Sequence, residues 1–191
     1  GDVLDADDVI YTWKMILDNP TFFAAAIPIC GRVADESYYE NDGAAFVLMM
    51  SAEKAAELGY QPYAKWVCGA DVGVEPRYMG IGPVFSSLKA LRQAGLTVED
   101  LGVFECNEAF AAQNLSVIAE LESQIGRKVN PAIWNPNGGA IAIGHPNGAS
   151  GARIAWFAMK QLERTGAKYG LFSACCGGGH GTTTIIENLR R

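Results

Sequence analysis

The pattern of hydrophobic and polar positions predicts helices and strands in alternation. Residues 5–18 follow a helical pattern with acidic side chains in the first turn, and residues 19–43 are predicted to be loop because their periodicity is weak. Residues 44–50 form a continuous apolar run, Ala-Ala-Phe-Val-Leu-Met-Met, which has the length and composition of a strand buried on both faces. The first quarter of the chain thus predicts a helix, a long loop and a strand.

The remaining pattern extends this alternation to the end of the sequence. We predict helices over 51–58, 80–94, 109–124 and 150–164, and strands over 64–70, 102–106, 169–174 and 182–187. In the last helix the apolar residues spread around much of the circumference, so we expect it to pack inside a layered core. Strands that alternate with helices predict an α/β fold built in layers, with an antiparallel end.

Composition narrows the classes of function. At 191 residues and 49% hydrophobic content, the chain suits one domain with a packed core. Lys and Arg number 15 against 21 Asp and Glu, and the net charge of −6 argues against a nucleic-acid binder, which needs a basic face. No apolar run reaches the roughly 18–20 residues of a membrane span. The five cysteines lack disulfide-framework spacing, which predicts a reducing compartment such as the cytoplasm.

The candidate chemistry lies mainly in two glycine-rich segments. The first segment, Gly138–Arg153, contains His145 shortly before a predicted helix start. Histidine is the natural base at neutral pH, and the nearby helix N-terminus offers unpaired amides. A lone histidine in this position is more often a packed core residue, and the second segment is what favours a catalytic role instead.

The second segment is Cys175-Cys-Gly-Gly-Gly-His-Gly181, between the two last predicted strands. Cys175 can exchange protons there, and the amide of Gly177 can point at a developing oxyanion. A glycine hairpin whose cysteines only pack is an open alternative. A metal site is not supported, because two histidines and no Cys-x-x-Cys pair do not match zinc spacing.

A third motif, Glu105-Cys-Asn-Glu-Ala-Phe110, joins a predicted strand to a predicted helix. Asn107 is well placed to hold a water molecule or a carbonyl oxygen, and Glu108 is placed to orient a neighbour. Taken alone, the motif is also explained as a helix cap.

Together these motifs closely resemble the C-terminal half of thiolases, which are acetyl-CoA C-acyltransferases. Asn41-Asp-Gly-Ala-Ala45 and Met79-Gly-Ile-Gly-Pro83 also match in the family's order, so the resemblance spans roughly residues 5–188. It implies a thiolase-like layered α/β fold with a mixed sheet and helices on both faces. Residues 1–43 would be the remnant of a loop region that leads into the domain, and 44–191 the C-terminal thiolase domain.

The resemblance implies catalytic roles for four residues. His145 would activate a nucleophilic cysteine and, with a water held by Asn107, stabilise the enolate of acetyl-CoA. Cys175 would be the general acid and base. The amide of Gly177 would form half of the oxyanion hole, and a donor of this kind is worth on the order of 3 kcal/mol.

The resemblance also implies substrate contacts. Met79 and Phe110 would line the tunnel for the pantetheine and acyl chain. Asn147 and His180 stand where the family usually has apolar residues, which points to an acyl group other than a plain acetyl or alkyl chain. Residues 36–40 replace the family's small serine-bearing loop with Glu-Ser-Tyr-Tyr-Glu, a departure that puts the usual coenzyme contact in doubt.

The implied reaction is thiolytic cleavage of 3-ketoacyl-CoA by CoA, or the reverse Claisen condensation, as in fatty acid metabolism. CoA is then a substrate, and no cofactor is expected. The family's nucleophile lies in an N-terminal half that has no counterpart here, because Cys30, Cys68 and Cys106 lack its glycine-rich helix start. We therefore expect activity only with that N-terminal half, tight association with it, and a homo-oligomer of the complete enzyme.

Two other functions compete with this one. A non-catalytic thiolase-like subunit that shapes or regulates a partner enzyme is the main alternative, and the retained active-site motifs argue against it. A nucleotide binder is disfavoured, because the sequence has neither Gly-x-x-x-x-Gly-Lys-Ser/Thr nor Gly-x-Gly-x-x-Gly after an early strand.

Overall fold

The computed structural model describes residues 47–146 and 148–191. The predicted helix 5–18, the loop 19–43, Cys30 and Asn147 lie outside the described residues, as do 44–46 of the predicted strand 44–50. Residues 47–50 belong to neither a helix nor a strand, so the strand prediction is wrong for them. An apolar run becomes a strand only when neighbouring strands accept and donate its backbone hydrogen bonds, and the sheet described below does not include this segment.

A mixed sheet of four strands forms the centre of the described part. The strands are β1 (Ala64–Gly73), β2 (Leu101–Cys106), β3 (Tyr169–Cys176) and β4 (His180–Asn188), in the spatial order β1-β4-β3-β2. Strands β2 and β3 are parallel, whereas β4 is antiparallel to both of its neighbours. This confirms the strands predicted from residue 64 onward and the antiparallel end.

Five α-helices lie in the described residues: α1 (Ala52–Glu57), α2 (Gly82–Ala94), α3 (Ala111–Ile125), α4 (Ala140–Ile143) and α5 (Ser150–Thr165). All but α4 were predicted. Residues 80–81, predicted as helix, instead end a 3-10 helix, Pro76–Ile81. Glycines in the left-handed region end α2, α3 and α5, with φ of 66° at Gly95, 71° at Gly126 and 70° at Gly166.

Helices cover both faces of the sheet. Successive strand residues point to opposite faces, so the side chains of Val103 and Phe104 lie on different faces of the sheet. Phe104 is buried in a cluster with Val84 of α2 and Val117 of α3, whereas Val103 is buried with Leu162 of α5. Helices α2 and α3 therefore pack on one face and α5 packs on the other, which confirms the layered α/β fold.

Helix α5 buries only one of its sides. Its buried apolar residues follow the spacing of three and four that defines a single helix face: Ile154, Ala155, Ala158, Met159 and Leu162. Trp156 and Phe157 are half-buried, and Tyr63 packs edge-on against the Trp156 ring at a centroid distance of 5.1 Å. The sequence pattern led us to expect that α5 is enclosed around most of its circumference. In the structure only the side that faces the chain's own sheet is buried.

Two glycines bring the start of α2 against β4. A Cβ atom on Gly181 would lie 2.3 Å from the carbonyl carbon of Gly82, and one on Gly82 would lie 2.9 Å from the Cα of Gly181. Gly181 is the β4 partner of Cys175. Only backbone without side chains permits this approach, so the pair fixes the strand beside Cys175 against the helix.

Candidate active site

The geometry of a parallel strand pair brings two of the motifs to one edge of the sheet. Because β2 and β3 are parallel, Cys106 and Cys175 lie toward the same edge, and the backbone N–H of Asn107 still donates to the carbonyl of Ser173 at 2.9 Å. Helix α5 packs on these strands with Leu162, near its end, against Gly170 at the start of β3. The beginning of α5, next to His145, is therefore directed toward the edge that carries Asn107 and Cys175.

His145 follows α4, and its ring is exposed. Its Nδ1 lies 2.6 Å from the Oγ of buried Ser150, and that Oγ lies 3.4 Å from the carbonyl oxygen of Pro146. When the Ser150 hydroxyl donates to Pro146, it accepts from Nδ1–H of His145. The lone pair of the ring is then on Nε2, which is the arrangement that a base requires.

The segment before His145 is held at both ends by charged side chains. The Oε2 atom of Glu108 accepts from the backbone N–H of Ile141 at 3.0 Å, at the start of α4, and Arg153 Nη2 donates to the carbonyl of Gly144 at 2.5 Å, just after its end. Each charge suits its end of the helix dipole. Because four residues do not make a stable helix alone, these bonds fix the position of His145. Glu108 thus orients a neighbour, as predicted.

Asn107 is almost fully buried at the end of β2, with 3% of its surface exposed. Its carbonyl oxygen accepts from Asn114 Nδ2 at 3.1 Å, and the Oδ1 of Asn114 accepts from Trp134 Nε1 at 2.9 Å. The Oδ1 atom of Asn107 itself has no hydrogen-bond donor among the described residues. A buried amide oxygen in this condition is suited to bind water or another small donor.

Cys175 lies half-buried near the end of β3. Burial is the main cause that raises the pKa of its thiol, and the neighbouring Cys176 thiol raises the pKa further. A raised pKa keeps the thiol protonated at neutral pH, so Cys175 has a proton to give, as a general acid must.

The turn after Cys176 consists of three glycines, Gly177 to Gly179. Gly178 and Gly179 have φ of 82° and 87°, in the region that favours glycine, and a Cβ on Gly179 would lie 2.2 Å from the carbonyl oxygen of Val74. Gly177 is exposed, with no atom within 4 Å of where its Cβ would be. The space beside Gly177 is therefore open, and the role of its amide stays a prediction.

A network of buried hydroxyl groups, not predicted from the sequence, supports the strand under Cys175. Thr183 Oγ1 lies 2.7 Å from Ser86 Oγ and 3.1 Å from Ser87 Oγ, both on α2. It donates to Ser173 Oγ at 2.8 Å, two residues before Cys175. The available signal was the presence of hydroxyl side chains at positions where strand and helix otherwise bury apolar ones.

The predicted substrate contacts are dispersed. Met79 is half-buried in the 3-10 helix, and Phe110 is 69% exposed just before α3. His180 is exposed, with Nε2 3.9 Å from Oδ1 of Asp71, and the β3–β4 register pairs it with Cys176 rather than Cys175. Adjacent positions point to opposite faces, so His180 lies on the other side of the sheet from the Cys175 thiol. The roles of Met79, Phe110 and His180 stay predictions.

Two clefts of about 440 and 480 Å³ lie away from these residues, along α3 and residues 126–134. Within residues 47–146 and 148–191, no group of three or more His, Cys, Asp and Glu side chains could hold a metal ion. None of the helices in the same residues combines the length and the apolar character needed to cross a membrane.

Comparisons with known proteins agree with one another. A family model described as the C-terminal domain of thiolase matches residues 60–188. An acetyl-CoA acetyltransferase of Syntrophomonas wolfei is 50% identical over 149 residues, which are 78% of this chain and 37% of that protein. A 3-ketoacyl-CoA thiolase of Klebsiella pneumoniae is 45% identical over 186 residues, which are 96% of this chain and 47% of that protein.

Solved structures give the same result. The acetyl-CoA acetyltransferase of Bacillus anthracis matches with a TM-score of 0.72 and 41% identity, over 77% of this chain and 36% of that one. Human mitochondrial 3-ketoacyl-CoA thiolase matches with a TM-score of 0.70 and 37% identity, over 84% of this chain and 41% of that one. The chain therefore spans less than half the length of the relatives that it matches.

Proposed function

Since the chain belongs to the thiolase family, we propose that it supplies the base, the acid and one oxyanion-hole amide of a thiolase. The proposed reaction is cleavage of 3-ketoacyl-CoA by CoA, or the reverse condensation. Because the chain corresponds to less than half of its relatives, the nucleophilic cysteine is proposed to come from an N-terminal part. The approach of Asn107 and Cys175 at one sheet edge, with His145 directed toward it, carries this proposal.

The first half-reaction uses all four predicted catalytic residues. Nε2 of His145 takes the proton of the nucleophilic thiol, and the thiolate attacks the 3-keto carbon while the amide of Gly177 donates to the new oxyanion. The carbon–carbon bond then breaks and leaves an acyl-enzyme and the enolate of acetyl-CoA. His145 and a water held by Asn107 stabilise that enolate, and Cys175 protonates its carbon.

The second half-reaction returns the groups to their starting state. Cys175, now a thiolate, takes the proton of the incoming CoA thiol, and the CoA thiolate attacks the acyl-enzyme. The Gly177 amide again donates to the tetrahedral oxyanion, which collapses to acyl-CoA and the free cysteine thiolate, and the latter recovers its proton from His145. The raised pKa of Cys175 supports its part, since a basic thiolate is an effective proton acceptor.

A complete enzyme containing this chain and an N-terminal part tests the proposal, with thiolysis of a 3-ketoacyl-CoA as the assay. In Cys175→Ala and His145→Asn, we expect the turnover rate to fall by about a hundredfold or more, because each removes a proton-transfer group. Cys68→Ala is the matched control, as the Cys68 thiol donates to the carbonyl of Ala90 on the α2 side and takes no part in the reaction. Equal rates in all variants would favour the non-catalytic subunit instead.

The finer features are proposals of the same kind. We propose that 44–191 form the C-terminal domain after a remnant loop region, that the complete enzyme is a homo-oligomer, and that it works in the cytoplasm or another reducing compartment. Asn147 is proposed to favour a polar acyl group, whereas the position of His180 on the opposite side of the sheet from the Cys175 thiol does not support such a role for it. Replacing Asn147 with Leu should then shift acyl preference toward plain alkyl chains, and an unchanged preference would remove the basis for this idea.

A further inference from the structure

Glu105 is a buried carboxyl group that the proposed chemistry does not use. It is 1% exposed on β2, and its Oε1 has no hydrogen-bond donor among the described residues. Asn107 lies two residues further along, 3% exposed, with the same condition at Oδ1. Positions two apart on a strand share a face, and the backbone pairing of β2 continues to Asn107, so both oxygens face the same region.

The two oxygens lack a donor among the described residues although both side chains are buried, with Glu105 1% and Asn107 3% exposed. A proton carried by the carboxyl group, or an enclosed water molecule, is a donor that such buried oxygens can use. One donor shared by Glu105 and Asn107 would satisfy both residues.

We propose that Glu105 is a positioning residue for Asn107: its protonated carboxyl group donates to Asn107 Oδ1, directly or through one water, and thereby turns Nδ2 toward the site. The inference rests on the proposed function, in which Asn107 holds the water that stabilises the enolate. When the Oδ1 atom of Asn107 accepts a hydrogen bond from Glu105, the NH₂ group of the same amide is directed toward the site. That group then donates to the water. Without Glu105, the two ends of the amide could exchange.

The surroundings of Glu105 favour the protonated form. Burial first, and the carboxylate of Glu108 second, raise the pKa of Glu105 to about 8. The other titratable groups directed toward this edge are the thiols of Cys106 on β2 and Cys175 on β3, which add no positive charge, and the exposed imidazole of His145 before α5. Arg153 of α5 donates from Nη2 to the carbonyl of Gly144, and its buried Nε has no acceptor among the described residues, so that atom forms no ion pair with Glu105. If the proton is lost, the carboxylate attracts Nδ2 and reverses the Asn107 amide.

Kinetics of the complete enzyme between pH 6 and 9.5 test this role. The wild-type turnover rate should fall above a midpoint near the Glu105 pKa of about 8. Glu105→Gln keeps a neutral NH₂ donor, so its alkaline midpoint should move up, toward the pKa of the Cys175 thiol, which burial raises above its ordinary value. Glu105→Leu should lower kcat by about ten- to a hundredfold at all pH values, with KM within about twofold, and Glu105→Gln should recover much of this loss.

Glu99→Gln is the matched control, because Glu99 is an exposed carboxylate 3.0 Å from Arg127 and remote from the sheet edge. It should keep the wild-type pH profile. An alkaline midpoint that stays in place in Glu105→Gln would overturn the proposal, and so would a Glu105→Leu variant with unchanged kcat.

An NMR measurement separates this inference from the proposed function. In complete enzyme labelled with ¹⁵N-asparagine, the Asn107 side-chain amide signal, identified by its loss in Asn107→Asp, should change around pH 8 in wild type. In Glu105→Gln it should not. A complete enzyme that is inactive in every variant would contradict the proposed function alone. An Asn107 side-chain signal that does not change with pH in the wild-type enzyme would contradict the role of Glu105.

Discussion

At the scale of single residues, the sequence indicated His145 but not Ser150, whose hydroxyl group is hydrogen-bonded to the Nδ1 atom of His145. The glycine-bearing motif and the helix start after it were visible in the sequence. The bond from Nδ1 to Ser150 Oγ was not, because it depends on how residues 146–149 turn before α5. Glu105 was missed for a similar reason: an acid at the end of a strand is usually exposed, and only tertiary packing buries it here.

Ser150→Ala should lower the turnover rate of the complete enzyme by about ten- to a hundredfold, because His145 then loses the partner that keeps its proton on Nδ1. Steady-state kinetics against pH provide the measurement. Ser116→Ala is the control, as Ser116 donates to the Ala112 carbonyl on the exposed side of α3. Similar kinetics in both variants would show that Ser150 does not act on the histidine.

The buried carboxyl group of Glu105 should make stability depend on pH. Its folded-state pKa of about 8 exceeds the ordinary 4.5, so between these values the folded state keeps a proton that the unfolded state has lost. Stability therefore falls as pH rises through this window. Urea unfolding of the complete enzyme at pH 5 and pH 8 should show a smaller loss in Glu105→Gln than in wild type or Glu99→Gln. A loss of the same size in all three would contradict the prediction.

At the scale of elements, the sequence pattern predicted correctly those helices that depend on interactions within their own segment. Amphipathic spacing and terminal glycines were enough for α1, α2, α3 and α5. The failures are non-local: residues 47–50 lack a pairing strand among the described residues, and α4 exists because Glu108 and Arg153 hold its ends from other parts of the chain. The same holds for the site, where motifs could be recognised but their hydrogen-bond partners could not.

Gly181→Ala should destabilise the complete enzyme by about 1–3 kcal/mol, because its Cβ would meet the backbone of Gly82 at 2.3 Å. Gly151→Ala is the contrasting control. Its Cβ would have no atom within 4 Å, and it lies within helix α5, so we expect a gain of about 0.5–1 kcal/mol. Urea unfolding measures both, and equal effects would show that the contact of α2 with β4 is not tight.

At the scale of the whole molecule, the exposed apolar side chains point to association. Phe110 is 69% exposed and Ile141 is 60% exposed, and their segments are joined through the bond between Glu108 and the Ile141 amide. They flank the motifs of Asn107 and His145. Apolar surface beside an incomplete site is where we expect the N-terminal part to bind.

Ile141→Lys should weaken association with a separately produced N-terminal part by about tenfold or more, because a charge would have to be desolvated at the contact. Leu189→Lys is a matched control, since Leu189 is 50% exposed just after β4, away from the motifs. Titration followed by light scattering gives both affinities. Equal affinities would place the contact elsewhere on the chain.

The position of β4 has a consequence for synthesis. It is the last strand in sequence but lies between β1 and β3, with Asn188 paired to Ala64. While the ribosome is still making this segment, β1 waits with an open edge, and β2 and β3 form a separate pair. The sheet therefore becomes continuous only when β4 inserts between β1 and β3, and until then each of these strands keeps an unpaired edge.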